Sequence, residues 1–168
     1  MLGMRLTFKI QDQDNWLWSA AEKAGMPIFI VAANQLPALD RVTERHPGLK
    51  IVIDHMAIPR RTKDEQAFAH MDTLLTLAKR ANVAVKTSSI PSYTTDSYPY
   101  RRLHGHLRRV FDAFGPKRMF WGTDLSKMPC TYRQAITVFT EELPWLNTDD
   151  KTWIMGRGIC EWLGWPLP

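Results

Sequence analysis

Apolar side chains follow two alternating rhythms along this chain: short dense runs, and longer stretches in which they return every three or four positions. Arg5-Leu6-Thr7-Phe8 reads as a short strand, and Asn15 to Ala24 as a helix with Trp16, Ala20 and Lys23 at helical spacing and Gly25 as its stop. Pro27 to Ala33 is almost continuously apolar and rich in β-branched residues, the pattern of a strand buried on both faces. A helix over Leu36 to Arg45 follows, closed by His46-Pro47-Gly48, and Lys50 to Asp54 is the next strand. Asp64 to Ala81 reads as helix and Val83 to Thr87 as strand; a loop with Pro91 and Pro99 leads into a helix over Tyr100 to Phe114 that ends at Gly115-Pro116. Met119 to Thr123 is the last strand, and helices over Tyr132 to Glu142 and Asp149 to Leu163 complete the chain.

Strands separated by helices imply right-handed crossovers and a parallel sheet, an α/β fold. Two architectures fit five such units. One is the later part of a TIM-like (β/α)8 barrel, which in full runs to about 250 residues. The other is an open doubly wound sheet, which predicts a glycine-rich phosphate turn after its first strand, whereas Lys9-Ile10-Gln11-Asp12-Gln13 follows Phe8 here. On the barrel reading the sheet is incomplete, and its first strand has an unpaired edge that is covered by Met1 to Asp14 or buried in a partner; an open edge of this kind is a route to homo-oligomers.

With 168 residues, 45% of them apolar, the chain is long enough for a real core, and it is read as one α/β domain over 1–168 lacking the first strands of the barrel. The opening Met1 to Arg5 does not make a signal peptide, charges interrupt every later apolar stretch, and no membrane partner is expected; a cytoplasmic protein is. Cys130 and Cys160 are far apart, without Cys-x-x-Cys spacing, and read as free thiols. The formal charge of +5 comes from clusters such as Arg60-Arg61-Thr62-Lys63, Arg101-Arg102, Arg108-Arg109 and Lys117-Arg118. No nucleic-acid recognition motif accompanies them, so they read as solvated helix faces, with Arg101 or Arg102 as an alternative seat for an anionic substrate.

Chemistry concentrates at two strand ends, Asp54-His55 and Asp124. In parallel α/β proteins the carboxyl ends of strands floor the active site, so an imidazole and a carboxylate there are candidates for shared work. By period two, Ile51, Ile53 and His55 share a face, which leaves Asp54 pointing to the helix layer as a loop tie. Gly122 shares a face with Asp124 and leaves room above it. Lys86, at the end of its strand, is balanced between contacting an anion and snorkelling. His104-Gly105-His106 has the look of a metal pair, but i and i+2 diverge around a helix, and His46 and His70 read as helix-end and helix-surface residues. The tryptophans read as core rather than as a stacking platform.

Glu44-Arg45-His46-Pro47-Gly48-Leu49-Lys50-Ile51-Val52-Ile53-Asp54-His55-Met56-Ala57-Ile58-Pro59 resembles the sixth-strand region of the amidohydrolase-related branch of the amidohydrolase superfamily. Val110-Phe111-Asp112-Ala113-Phe114-Gly115-Pro116-Lys117-Arg118-Met119-Phe120-Trp121-Gly122-Thr123-Asp124 resembles the approach to its eighth strand, in the same order and at matching separation. The resemblance runs from about Gly25 onward. It implies hydrolysis or non-oxidative decarboxylation of a carboxylated small molecule. It further implies Asp124 as base or metal ligand, and His55 as acid, carbonyl-polarising group or metal ligand. Lys86, Arg101 and Arg102 are candidate substrate contacts on their own chemistry. The cofactor implied for the complete family enzyme is a divalent metal, zinc first. Here the first-strand His-x-His is absent, and Ile28 to Ala33 has no histidine where many metal-dependent members carry one. Two protein ligands fall short of the three usual for catalytic zinc. The chain is therefore either an enzyme of this branch, in whole or part, or a catalytically silent module that binds a ligand or assembles with another chain.

Overall fold

The computed structural model describes residues 3–167. Its elements run β1 (Met4–Leu6), α1 (Asn15–Lys23), β2 (Ile28–Ile30), α2 (Leu36–Arg45), β3 (Ile51–Ile53), α3 (Asp64–Phe68), α4 (Met71–Thr76), β4 (Val83–Ser88), α5 (Arg101–Phe114), β5 (Met119–Gly122), α6 (Tyr132–Thr140), α7 (Thr148–Thr152) and α8 (Gly158–Leu163). All five strands are parallel and lie in sequence order, β1-β2-β3-β4-β5. A doubly wound sheet needs a reversal of strand order at its switch point. There is none, and the order is that of consecutive βα units in a (β/α)8 barrel.

Register separates the two faces of the sheet. Ile28, Ile51 and Val83 stand in one row and Ile30, Ile53 and Val85 in another. With Met119 they pack on Trp18, Leu39, Leu74, Leu107 and Val110 of the helices in the main core. The alternate positions Phe29, Val52 and Ala84 form a row on the opposite face and, with Phe120, lie under Ile159 and Trp162 of α8. That face is apolar only near the strand starts; toward their carboxyl ends it carries Arg5, Asp54, Lys86 and Ser88.

The expected order of elements is present, with shifted ends. The first strand is Met4–Leu6 rather than Arg5 to Phe8, because Phe8 leaves the sheet to stack on Trp18 and the Ile10 N–H bonds the Gln35 side chain. Of the segment expected to cover the β1 edge, Met1 and Leu2 lie outside the described residues. The long helix expected over Asp64 to Ala81 is broken into α3, α4 and a last short turn; at the break His70 turns inward and its Nε2 meets the Met56 carbonyl at 2.8 Å. The last helix is likewise split by a wide π turn over Trp153–Arg157.

Candidate active site

β3 ends at Ile53, and Asp54–Ala57 form a tight turn in which His55, Met56 and Ala57 all have positive φ, at 52°, 52° and 57°. L-residues pay about 1–2 kcal/mol each for this conformation, and runs of it cluster at functional sites. The consequence is that strand alternation stops before His55. Ile51 and Ile53 face the helices, not the site, and Asp54 faces the open side of the sheet, which reverses the assignment expected from period two. His55 is swung over the carboxyl ends of the strands. Its Nδ1 lies 2.8 Å from the Ser88 hydroxyl, and its Nε2 is 3.4 Å from Arg5 Nη2 and 3.8 Å from Asp124 Oδ2. Arg5 has only donors, so this approach leaves the lone pair on Nε2 and the ring proton on Nδ1, facing Ser88.

Asp124 follows β5 and accepts from Lys127 Nζ at 3.1 Å. Beneath it, a Cβ on Gly122 would meet the Ser88 Cβ at 3.2 Å and the Lys86 side chain just beyond, so a bare backbone here lets Ser88 stand under His55. Asp54 is fully buried; its Oδ2 accepts from Arg5 Nε at 2.7 Å and its Oδ1 lies 2.5 Å from Lys86 Nζ. The Arg5, Ser88, Ser89 and Tyr93 contributions were missed by the sequence reading. The available signal for the first was alternation: Arg5, Asp54 and Lys86 are lone charges set among apolar strand residues.

Burial is the main influence lowering the His55 pKa below its ordinary value, with the Lys86 charge in support and the Asp54 and Asp124 carboxylates opposing it. Burial also pushes upward on the Asp54 carboxyl, but the charges and hydrogen bonds of Lys86 and Arg5 outweigh it and hold Asp54 below the carboxylate range. The same contest at Asp124 is won by Lys127, with help from His55 and Arg5, and that carboxyl is also held low. Burial, reinforced by the charges of Asp124 and Asp54, raises the Tyr93 phenol to about 12, so it stays protonated. At neutral pH the site thus holds a neutral imidazole beside two carboxylates and a phenol.

His55 and Asp124 open on a common cavity of about 800 Å³ that is also lined by Arg5, Val31, Ile58, Ser89, Ser92 and Tyr93. Its remaining wall is the arm Arg60-Arg61-Thr62-Lys63 with Lys127, so among the described residues five cations, Arg5 included, face it against the single carboxylate of Asp124. The arm was expected to be a solvated helix face; it is a loop, tied down where Asp64 accepts from Thr94 Oγ1, Thr95 Oγ1 and the Thr95 N–H. Arg101 and Arg102 stand exposed at the start of α5 and are not among the residues lining the cavity; the Arg102 N–H bonds Asp96 instead. Lys86 reaches Asp54 rather than the cavity wall. His104 is held by the Pro99 carbonyl and His106 stacks on Phe68, so neither joins the site.

His55 and Asp124 are close enough to share one ion, but among the described residues no group of three or more His, Cys, Asp or Glu side chains could hold a metal. Arg5 Nη2 already approaches the Nε2 lone pair that a cation would need. These residues do not make a metal site on their own.

A family model described as amidohydrolase matches residues 7–167. An L-fucono-1,5-lactonase from Burkholderia ambifaria is 34% identical over 95 residues, which is 56% of this chain and 32% of that protein. Among solved structures, an amidohydrolase from Burkholderia multivorans with bound zinc superposes with a TM-score of 0.81 at 18% identity, covering 99% of this chain and 65% of that one. A candidate 2-pyrone-4,6-dicarboxylic acid hydrolase from Pseudomonas putida gives 0.72 at 26% identity, covering 100% and 65%. The chain therefore spans less than two thirds of the length of these relatives. Among the described residues no helix is long and apolar enough to cross a membrane.

Proposed function

The chain belongs to the amidohydrolase family, and from that membership and the site geometry we propose that it carries the catalytic face of an enzyme acting on a carboxylated small molecule. Hydrolysis of a carboxylated lactone or ester is the preferred reaction, decarboxylation the alternative. The observation that carries the proposal is the His55–Asp124 pair, 3.8 Å apart at a cavity where Asp124 is outnumbered by cationic side chains. Two relatives named for lactone chemistry, the lactonase and the dicarboxylic acid hydrolase, support the hydrolytic choice.

In this reading the substrate carboxylate binds the Nη edge of Arg5 and draws Nη2 off the His55 Nε2 lone pair, and the arm with Arg60, Arg61 and Lys63 draws further negative charge to the mouth. A water held at about 2.8 Å from both His55 Nε2 and Asp124 Oδ2 lies within hydrogen-bond reach of each. Asp124 takes its proton as the oxygen attacks the carbonyl carbon, and the carbon–oxygen bond to the ring breaks. The proton then passes from Asp124 to the departing oxygen. The Tyr93 phenol, still protonated, is the donor on the cavity wall available to the carbonyl oxygen. No step runs through a metal; zinc binding, as in the complete family enzyme, needs a third donor from outside these residues.

Assays on carboxylated lactones test the proposal. Asp124→Asn and His55→Ala each lower kcat/KM by about 100-fold or more, while Arg5→Met acts mainly on KM. Full activity in the first two variants refutes the assignment. A catalytically silent module that binds a carboxylate or assembles through its sheet edge is the second reading, favoured by the incomplete donor set. Carboxylate binding without turnover on any lactone decides for it. A cytoplasmic location, a small-molecule rather than nucleic-acid partner, and homo-oligomers formed through the sheet edge complete the proposed setting.

A further inference from the structure

Asp54 is the most deeply buried charge at the site, and no step of the proposed reaction uses it. It follows directly on β3, faces the open side of the sheet, and has no exposed surface. Its two oxygens are divided between two cations from different strands, Arg5 Nε of β1 at 2.7 Å and Lys86 Nζ of β4 at 2.5 Å. A buried carboxylate is tolerated only when paired in this way. Among the described residues Arg5 lies on an edge strand and its side chain is 57% exposed; its shortest contact is with Asp54.

We propose that Asp54 is a positioning residue: by bridging Lys86 and the Nε edge of Arg5 it holds the Arg5 guanidinium with its Nη edge toward the cavity, set for a substrate carboxylate. The geometry of the guanidinium makes the argument. Of its five donors one is spent on Asp54, and the remaining four lie on the two terminal nitrogens, which form the fork that matches a carboxylate. One of them, Nη2, already stands 3.4 Å from His55 Nε2, so the bound anion is delivered beside the His55–Asp124 pair. Two cations around one carboxylate leave a net positive charge at this spot, which an incoming carboxylate neutralises. Lys86, lying 6.0 Å from the Phe29 ring centre, meets the other oxygen of Asp54 and so leaves Oδ2 to Arg5.

The inference rests on the reading of Arg5 as the carboxylate seat, and the experiment separates the two. Citrate, a tricarboxylate, serves as the probe, titrated into the chain by calorimetry. Arg5→Met weakens citrate binding at least tenfold; unchanged binding overturns the seat itself and this inference with it. Asp54→Asn strands two cations and endangers folding, so the decisive variant is Asp54→Asn with Lys86→Met, which removes the uncompensated lysine. It weakens citrate about tenfold although Arg5 is intact and, with one anion and one cation removed together, the net charge at this spot is unchanged. Wild-type affinity in the double variant, with Arg5→Met still weak, overturns the role of Asp54 while leaving the seat standing. A measurement on the unaltered chain needs no variant: the Arg5 Nε–H resonance exchanges slowly with solvent, unlike those of exposed arginines such as Arg101. Exchange as fast as theirs overturns the proposal.

Discussion

A neutral His55 beside an ionised Asp124 sets the pH range in which the pair works. Protonating His55 removes the Nε2 lone pair that faces the water position, and burial makes that protonation harder than in solution. The expected result is a kcat/KM that rises with pH through a midpoint below the ordinary imidazole value of about 6.5. The His55 ring resonances should titrate at the same midpoint in an NMR series. Asp124→Asn should move it lower still, since that carboxylate is one of the charges favouring the imidazolium. Linkage carries the same sign into stability: a folded pKa below the unfolded one means the unfolded chain binds more protons. The His55 contribution is therefore complete above about pH 6.5 and is lost as pH falls toward the folded value; that of Asp54 is lost later, as pH falls below the carboxylate range. A second expectation concerns metal. With two donors, and Arg5 on one of them, the dialysed chain should hold zinc well below one equivalent. Stoichiometric zinc by elemental analysis means that a further donor has been overlooked. How much of this was legible follows from strand position. His55 and Asp124 stand out because polar groups at strand ends are few. Asp54 was placed on the wrong face because Lys50 to Asp54 is apolar on both sides and offers no polar marker of which is which. Arg5 showed only as a lone charge in an apolar run, and its role stayed hidden because its partners come from residues 49 and 50 positions away.

At the scale of elements, strands and helices were found in their expected places because their apolar spacing is local, and they were misjudged where a tertiary contact intervenes. His70 ends α3 by turning to the Met56 carbonyl, a contact no helical period announces. The turn over Asp54–Ala57 is a stronger case, since three consecutive non-glycine residues with positive φ contradict every local preference and are held by the core around Met56 and Ala57. Helix α8 shows the opposite conflict. Gly158 is helical, where alanine is favoured by about 1 kcal/mol on propensity. Yet a Cβ at Gly158 would stand 2.9 Å from the Trp153 carbonyl, 3.1 Å from Phe120 and 3.2 Å from the Lys117 carbonyl. Two of these three are backbone atoms that cannot step aside. Gly158→Ala is therefore expected to destabilise the chain by about 1–3 kcal/mol, read as a lower urea midpoint. A higher midpoint means that α8 is free to shift on the sheet.

For the molecule as a whole, sheet order decides where order is weakest. Among the described residues, strands β2, β3 and β4 are paired on both sides, whereas β1 pairs with β2 alone and β5 with β4 alone. The two outer strands are not equivalent. β5 shares its paired register with β4 over four positions and is tied to α6 by its own Trp121, whose Nε1–H bonds the Ala135 carbonyl. β1 is three residues long and bears Arg5, whose exposed side chain is the sort of charge that discourages further pairing. Amide exchange should then be slowest in β3 and β4 and fastest in β1, which opens locally at far less cost than the whole chain unfolds. Concentration adds a second dimension. If the β1 edge recruits another copy, its amides become protected as concentration rises while those of β3 and β4 do not change; if Arg5 keeps the edge free, β1 exchanges at one rate throughout. The site depends on the answer, because Arg5 lies on that strand and reaches both Asp54 and His55. Protection of β1 on raising the concentration should therefore come with tighter citrate binding, since ordering the strand fixes the arginine beforehand. Protection without any gain in affinity means that Asp54 alone already holds the guanidinium in place.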